Sequence, residues 1–213
     1  MAGWCTCALG VKKLKFIGDA IIGLTYDPND ISYGQAGTFV LRANNIQNGK
    51  LTPEDAVYVT SDIPEKLKLI AHDILICSRN GSRHLIGKCG LVTDEFVGCT
   101  FGAFNTVFRS QANYFIYYVL NSSLFEFQSG SYLTATINQL TVSTLNSFLV
   151  PLPPPSEQSR IVASLDSAEI RFESMFAHVE TAIARLREYR TALITAATTG
   201  KIDVRNVASP APT

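Results

Sequence analysis

The feature that most constrains this chain is a run without proline or glycine from Ser156 to Thr198. Within it, apolar residues recur in alternating steps of four and three, which is the heptad spacing of one face of a long helix. At ~1.5 Å per residue, such a helix would extend for about 60 Å. The heptad residues are Ile161, Leu165, Ala168, Phe172, Met175, Val179, Ala182, Leu186, Tyr189, Leu193 and Ala196.

The ends of this predicted helix are also marked in the sequence. The proline-rich segment 150–155 precedes it, and proline is tolerated at the start of a helix but not in its interior. Ser156 is the predicted N-cap, and Glu157 suits the positive end of the helix dipole. Gly200 is the predicted C-terminal stop.

Two interpretations of the helix remain open from its pattern. It could pack on the core of its own domain, although helices of globular domains usually run for about 8–20 residues. Alternatively, it pairs with a second helix in a coiled coil. Because no other segment of the chain carries a matching heptad run, we expect that second helix to come from another chain.

The region before the prolines predicts an α+β globular domain. Short runs rich in β-branched and aromatic residues predict strands at 38–41, 57–59, 74–77 and 106–108. Turn signals separate them at 27–30, 47–49, 80–81 and 129–130, and a helical pattern covers about 113–127. We therefore predict a recognition domain over 1–152, a long coiled-coil helix over 153–200 and a tail over 201–213.

Composition excludes several classes of protein. With 46% hydrophobic and 17% charged residues, the chain can form a packed core. The net charge is zero, so any nucleic-acid partner requires locally segregated positive charge. The five cysteines are odd in number and irregularly spaced, which favours reduced thiols, and no stretch is apolar enough to span a bilayer. We expect a soluble cytoplasmic protein with no membrane contact.

Motifs that would carry catalysis are not apparent. The three histidines have no metal-ligand spacing, and there is no phosphate-binding loop, dinucleotide fingerprint or nucleophile elbow. The sequence therefore predicts a protein with no catalytic site, metal or bound cofactor of its own.

Two clusters have side chains suited to DNA. The window between Asp73 and Asp94 has no acidic residue, and it contains the polar segment 78–82 together with Arg83 and Lys88. A second cluster, 42–45, follows a predicted strand. Arginine can pair with guanine and asparagine with adenine in the major groove. The alternatives are a solvated hairpin turn at Asn80-Gly81 and an Asx turn of structural use at 42–45.

A third candidate is a stretch without charge, which extends from Phe127 to Ser156. Its segment 128–139 is rich in hydroxyl and amide groups, which can hydrogen-bond to base edges without relying on net charge. The same groups could instead cover the exposed face of a pair of strands, and composition does not decide between these alternatives.

Taken in order, several segments resemble the specificity subunits of type I restriction–modification systems. Trp4 and Leu9-Gly10 look like the short opening strand of such subunits, the match continues through Gly34, and 39–46 is similar to their "R-x-x-N/D-I" segment. Segments 73–82 and 128–130 follow. The clearest match is 150–158, which looks like the family's "P-L-P-P-x-x-E-Q" entry to a conserved helix, and 198–202 resembles the exit from that helix.

The resemblance implies a function. Each recognition domain of the family reads one half of a bipartite site in double-stranded DNA, and the long helices pair antiparallel to set the spacer. The helices also dock methyltransferase subunits, which bind S-adenosylmethionine and methylate adenine, and a nuclease subunit can join them. Because the chain carries one recognition domain and one helix, it resembles half of such a subunit. We therefore expect a homodimer, or pairing with a different half subunit.

Two alternatives to the specificity subunit remain open. They are a fragment of a DNA methyltransferase or nuclease, and a coiled-coil module for protein interaction.

The expected function names two sets of residues. The predicted dimer contacts are Ile161, Leu165, Phe172, Met175, Val179, Leu186, Tyr189 and Leu193. The predicted DNA contacts are Arg42, Asn44, Asn45, Ser78, Arg79, Asn80, Ser82, Arg83, Lys88, Gln128, Ser129, Tyr132, Thr134 and Asn138.

Overall fold

The computed structural model describes residues 10–32, 36–132 and 139–203. Contacts divide the chain into one unit over 1–162 and a second over 163–213. The helices are α1 (Asn113–Leu120), α2 (Ser123–Tyr132), α3 (Val142–Ser147) and α4 (Pro155–Thr198). The strands are β1 (Gly10–Lys13), β2 (Asp19–Ile22), β3 (Ile31–Ser32), β4 (Thr38–Leu41), β5 (Ile46–Gln47), β6 (Lys50–Leu51), β7 (Val57–Val59), β8 (Ile74–Cys77), β9 (Cys89–Leu91), β10 (Thr100–Phe101), β11 (Asn105–Arg109) and β12 (Leu149–Leu152).

Two four-stranded sheets form the centre of the first unit. The first sheet has the order β2-β11-β8-β9 and is antiparallel throughout. The second has the order β10-β4-β7-β3, in which β10 is parallel to β4 and the other pairs are antiparallel. The hairpin β5-β6 turns through Asn48 and Gly49, both with positive φ (50° and 78°). That is the two-residue turn that Asn-Gly favours.

The alternation of β8 explains how the layers stack. Ile74 and Ile76 lie in a buried cluster with the helices α1, α2 and α3, whereas Leu75 and Cys77 lie in a second cluster with residues of the other sheet. Because successive side chains of a strand point to opposite faces, both faces of this strand are buried. The domain therefore has three layers, with the first sheet between the helices and the second sheet.

An ion pair lies at one end of the first sheet. Asp73 is 1% exposed and receives two hydrogen bonds from Arg109, from Nε at 2.8 Å and from Nη2 at 2.6 Å. Arg109 Nη2 also donates to the carbonyl of Lys68 at 3.0 Å, and the amide of Ile70 donates to Asp73 at 3.1 Å. The Asp73 carboxylate is thus paired and hydrogen-bonded, as a buried charge requires.

Part of the uncharged stretch is helical, which corrects two predictions. Ser129-Gly130 was predicted as a turn but lies inside α2, and 128–132 cannot be the face of a strand pair. Phe125 holds this helix in place because it is buried in edge-to-face contact with Phe148, with ring centroids 5.2 Å apart. This packing outweighs the turn preference of Ser-Gly.

The strand β1 pairs antiparallel with β12, so that Gly10 lies opposite Leu152. The first described strand of the domain and its last strand are therefore neighbours. The helix α4 begins three residues after β12, at Pro155, where proline occupies the first helical position. Ser156 is consequently within the first turn, and the prediction that it is the N-cap is wrong by two residues, since Pro154 occupies that position.

The helix α4 ends as predicted at a glycine. Gly200 has a φ of 73°, its amide donates to the carbonyl of Ala197 at 3.3 Å, and the amide of Lys201 donates to the carbonyl of Ala196 at 2.8 Å. These two bonds form a Schellman motif, which satisfies the last carbonyls of a helix. The predicted fold class, an α+β domain followed by one long helix, is confirmed.

The heptad residues of α4 that lie in the second unit are mostly exposed. The large ones range from 38% exposed for Leu165 to 66% for Leu186. Ile161 is half-buried and packs within the first unit against the helical core cluster. Among the described residues, no helix combines the length and apolar character needed to span a membrane.

Candidate functional site

A cleft of about 1140 Å³ opens where the two sheets of the first unit meet. Four segments line it, at 24–26, 42–44, 79–81 and 102–105, together with Gln139. The first three segments follow the carboxyl ends of β2, β4 and β8, and the fourth connects β10 to β11. Two of the three sequence-predicted DNA clusters, 42–45 and 78–82, are thereby brought to one surface.

Close backbone contacts hold the two sheets together beneath this cleft. The amide of Gly102 and the side-chain Nδ2 of Asn105 both donate to the carbonyl of Leu41, at 3.0 and 3.2 Å. The amide of Ala103 donates to the carbonyl of Leu24 at 2.9 Å. A Cβ at Gly23 would collide with the carbonyl of Gly102, so this close approach requires glycine.

Arg79 is exposed on one wall of the cleft and is held by two contacts. Its Nη2 donates to Oε1 of Gln139 at 3.0 Å, and its guanidinium carbon lies over the ring of Phe104 at 5.7 Å from the centroid. That distance is within the range of a cation–π contact. The guanidinium is therefore oriented before any ligand binds.

The segment 42–45 contributes residues 42–44 to the lining of the cleft and combines structural and exposed groups. Arg42 is half-buried, and its Nη2 donates to the carbonyl of Asp55 at 2.8 Å. Asn45 is fully buried, where it accepts from the amide of Arg42 at 2.8 Å and donates to the carbonyls of Thr52 and Glu54. Asn45 therefore has the structural role of the Asx-turn alternative, and its assignment as a DNA contact is corrected. Asn44 is exposed in the cleft.

The loop after β8 is not the two-residue hairpin that Asn80-Gly81 could form. Asn80 Oδ1 accepts from the amide of Ser82 at 3.0 Å, and a turn of 3₁₀ helix at Arg83–Leu85 precedes β9. This Asx turn leaves Asn80 half-buried in the lining of the cleft.

The electrostatic character of the cleft follows from its lining. Arg42 and Arg79 contribute two positive charges, and no carboxylate is present among the described residues that line it. The polar lining also includes the amides of Asn44, Asn80 and Gln139. The positive charge is segregated locally on a chain of zero net charge, as a nucleic-acid partner requires.

Three other predicted contacts serve the fold. Ser78 is 6% exposed and donates to Oγ1 of Thr106 at 2.6 Å, and Ser129 is 6% exposed and donates to the carbonyl of Glu126 at 3.1 Å. Gln128 binds the backbone of Leu149 at both its amide and its carbonyl, each at 2.9 Å. These side chains are satisfied within the domain, so we correct their assignment as DNA contacts.

The remaining predicted DNA contacts lie outside the lining of the cleft or outside the residues that the structure describes. Ser82 and Arg83 are exposed beside the cleft, and Arg83 Nη2 donates to the carbonyl of Gly130 at 3.3 Å. Lys88 is half-buried before β9. Thr134 and Asn138 lie outside the described residues, as do Trp4, Leu9 and Gly34 of the family resemblance and the side chain of Tyr132.

Sequence reasoning missed Phe104 as a functional candidate, and it did not single out Gln139 within the candidate segment 128–139. Phe104 is 60% exposed at the cleft, although a large aromatic side chain is usually buried. The one sequence feature that could have indicated an exposed Phe104 is its position two residues after Gly102, in a short connection between strands. Gln139 belongs to the uncharged stretch, but its proximity to Arg79 depends on contacts 60 residues apart.

Cysteine chemistry is unfavourable at the two buried thiols of the domain, Cys77 and Cys89. Burial raises the pKa of the Cys77 thiol, and the charge of Lys88 offsets this only in part. Burial also raises the pKa of Cys89, to about 12. Because the thiolate is the nucleophile and the metal ligand, these thiols are packing residues. Among the described residues, no group of side chains is arranged to hold a metal ion. Cys5 and Cys7 lie outside the described residues.

Comparison with known proteins defines the class. The family model of the type I restriction modification DNA specificity domain matches residues 12–175, which is more than half of the chain. The chain therefore belongs to the family of type I DNA specificity domains. It is similar to the specificity subunit of the type I restriction enzyme EcoKI from Escherichia coli strain K12, with 33% identity over 168 residues.

The coverage of that relative and others is partial. The EcoKI match covers 76% of this chain and 36% of the relative. The specificity subunit of the StySPI enzyme from Salmonella potsdam is 29% identical over 207 residues, which cover 94% of this chain and 43% of the relative. The chain thus spans less than half the length of these relatives. The family match does not favour either alternative, the catalytic fragment or the general interaction module.

Solved structures share the fold. A chain from a study of complex assembly and conformational transition of the type I R-M system superposes with a TM-score of 0.73 at 18% identity, covering 92% of this chain and 47% of that one. The HsdS subunit of Thermoanaerobacter tengcongensis superposes with a TM-score of 0.61 at 19% identity, covering 81% and 40%.

Proposed function

We propose that this chain is the non-catalytic DNA-reading component of a type I restriction–modification system and recognises one half of a bipartite duplex site. The observation that carries the proposal is the cleft, which Arg42 and Arg79 line together with described residues that include no carboxylate. Arginine donors match the O6 and N7 acceptors of guanine, and asparagine matches adenine. The amides of Asn44 and Asn80 are placed to add such contacts.

For the long helix we propose self-association along the heptad residues. Exposed apolar side chains at heptad spacing are the property that drives helices to pair. An isologous pair would present two identical readers, so the expected target is an interrupted palindrome. Pairing with a different half subunit, or with an equivalent helix of a longer specificity subunit, would use the same face.

The charge distribution of α4 favours an antiparallel pair. Four carboxylates and one arginine lie between residues 166 and 180, whereas three arginines and one carboxylate lie between 185 and 190. In an antiparallel pair the acidic half of one helix faces the basic half of the other, while a parallel pair opposes like charges. The antiparallel arrangement also sets the distance between the two readers, and thus the length of the unread spacer.

The apolar face of α4 is wider than one heptad pair requires. Phe176 and Ile183, which are 67% and 43% exposed, directly follow the heptad residues Met175 and Ala182. They form an additional column in the middle of the helix, beyond the narrow stripe that a two-stranded coiled coil buries. We propose that this column contributes to docking of the methyltransferase subunit.

In the proposed assembly, S-adenosylmethionine is bound by the methyltransferase subunit and not by this chain, and a nuclease subunit can join.

The DNA-reading role predicts the effect of removing each arginine. Arg79→Ala and Arg42→Ala are each expected to lower specific duplex binding by about 1–3 kcal/mol, or roughly 5- to 150-fold, because a base contact is lost. Binding of the full chain to its preferred duplex is measured at one fixed salt concentration. The methylated motif in host cells that express each variant gives an independent measurement.

Lys66→Ala is the matched control, since Lys66 is exposed and lies outside the cleft lining. It removes one positive charge and should leave the preferred sequence and its affinity unchanged. Thermal unfolding of Arg42→Ala separates a lost DNA contact from the lost bond to Asp55. Wild-type binding and methylation by both arginine variants would contradict the role proposed for the cleft.

A further inference from the structure

We propose that Arg79 and Phe104 read two adjacent base pairs as one unit, Arg79 a guanine and Phe104 the 5-methyl group of a thymine beside it. This inference rests on the proposed DNA-reading function and names the sequence class that the cleft selects. Gln139 is the positioning residue that fixes the direction of Arg79. Three observations support the unit: a shared backbone anchor, the side-chain contacts and the exposure of Phe104.

The backbone anchor joins three segments that are distant in sequence. The carbonyl of Phe104 accepts hydrogen bonds from the amides of both Ser78 and Arg79, each at 2.9 Å. The amide of Leu140 donates to the carbonyl of Ser78 at 2.7 Å, and Arg79 and Gln139 form an antiparallel bridge. These bonds fix the backbone positions from which the three side chains extend.

The side-chain contacts orient the guanidinium. Arg79 Nη2 donates to Gln139 Oε1 at 3.0 Å, and the Arg79 guanidinium carbon lies 5.7 Å from the centre of the Phe104 ring. A planar guanidinium held on one nitrogen and against an aromatic ring loses little further freedom on binding. Such preorganisation converts more of the interaction energy into affinity and specificity.

Phe104 is exposed in a way that the domain itself does not explain. Its ring is 60% exposed and lines the cleft, so it is available to contact a ligand. When a guanidinium lies in the plane of a guanine edge, a ring above that guanidinium lies at the level of the next base pair. The apolar group presented there in the major groove is the thymine methyl, and phenylalanine is one of the residues that contact it.

The test begins with a preferred duplex. The full chain selects duplexes from a randomised library, and affinity is then measured after single-atom changes in the selected duplex. Replacing thymine by deoxyuridine removes one methyl group, and 7-deazaguanine removes the N7 acceptor. Wild-type protein is expected to lose about fourfold in affinity when the thymine next to the critical guanine is replaced, since one buried methyl is worth roughly 0.8 kcal/mol.

The variants assign each effect to a residue. Phe104→Ala should bind the thymine and deoxyuridine duplexes equally, and Arg79→Ala should be insensitive to 7-deazaguanine. Gln139→Ala should reduce the wild-type ratio between guanine and 7-deazaguanine affinities, and Gln139→Glu, which retains an acceptor, should restore it. Each ratio is taken within one protein, so a general change in affinity or stability cancels.

The outcomes separate this inference from the function it depends on. Failure of the library to yield any preferred duplex would contradict the proposed DNA-reading role. A preferred duplex without a guanine–thymine neighbour pair would overturn the inference alone. The same conclusion follows if wild-type affinity does not respond to deoxyuridine, or if Phe104→Ala still distinguishes thymine from deoxyuridine.

Discussion

Replacing Arg109 with methionine is expected to destabilise the folded domain by about 3–5 kcal/mol, which is a large part of the stability of a typical domain. Asp73 is 1% exposed, and Arg109 supplies two of its hydrogen bonds. In the variant the carboxylate would remain buried, with the bond from the amide of Ile70 but without a positively charged partner. Methionine preserves much of the arginine stem, so the change measures mainly the lost pairing.

The measurement is equilibrium unfolding in urea at neutral pH, compared between wild type and variant. Glu65→Gln is the control, because it breaks the exposed ion pair between Glu65 and Lys68 with almost no change in volume. Exposed pairs contribute little, so the midpoint for this control should match wild type. An equal, small shift for both variants would mean that Asp73 finds a new partner or is hydrated.

Val179→Asp combined with Leu186→Asp is expected to convert the proposed dimer into a monomer. Both side chains are exposed on the heptad face of α4, at 55% and 66%. In a dimer the pair of changes places four carboxylates in the helix interface, and each desolvated charge costs several kcal/mol. The dimer should weaken by on the order of a thousandfold or more. Light scattering at micromolar concentration measures this directly.

The matched control is Ala177→Asp combined with Ala184→Asp. These positions have the same seven-residue spacing and are exposed, but they lie on the opposite side of the helix from the heptad residues. The control variant should remain a dimer. A monomeric wild-type chain would contradict homodimerisation, and a dimeric Val179/Leu186 variant would place the interface elsewhere.

Local sequence patterns predicted the elements that depend on local residue preferences or on a regular spacing of apolar residues. The strands at 38–41 and 74–77 match their predicted bounds because both are short runs rich in apolar and β-branched residues. The long helix was evident from its heptad spacing and its glycine stop. By contrast, Ser129-Gly130 became helical because Phe125 packs against Phe148, a contact that no local preference anticipates.

The candidate site was predictable in its parts but not in its assembly. Arg42 was expected at the end of a strand and Arg79 in a polar turn, and both line the cleft. Their proximity depends on the connection between β10 and β11, which contacts the ends of both sheets. The burial of individual polar side chains could not be predicted. Asn45 and Ser78 are residue types that are usually exposed, but both form hydrogen bonds within the fold.

The pairing of β1 with β12 has a consequence for the exchange of this domain between chains. Since Gly10 and Leu152 lie opposite each other, the described part of the domain begins and its last strand ends at neighbouring points. A segment with adjoining entry and exit can be exchanged for another without stretching the flanking backbone. An exchange of residues 10–152 for another domain with the same adjoining strands would therefore leave the start of α4 at Pro155 unaltered.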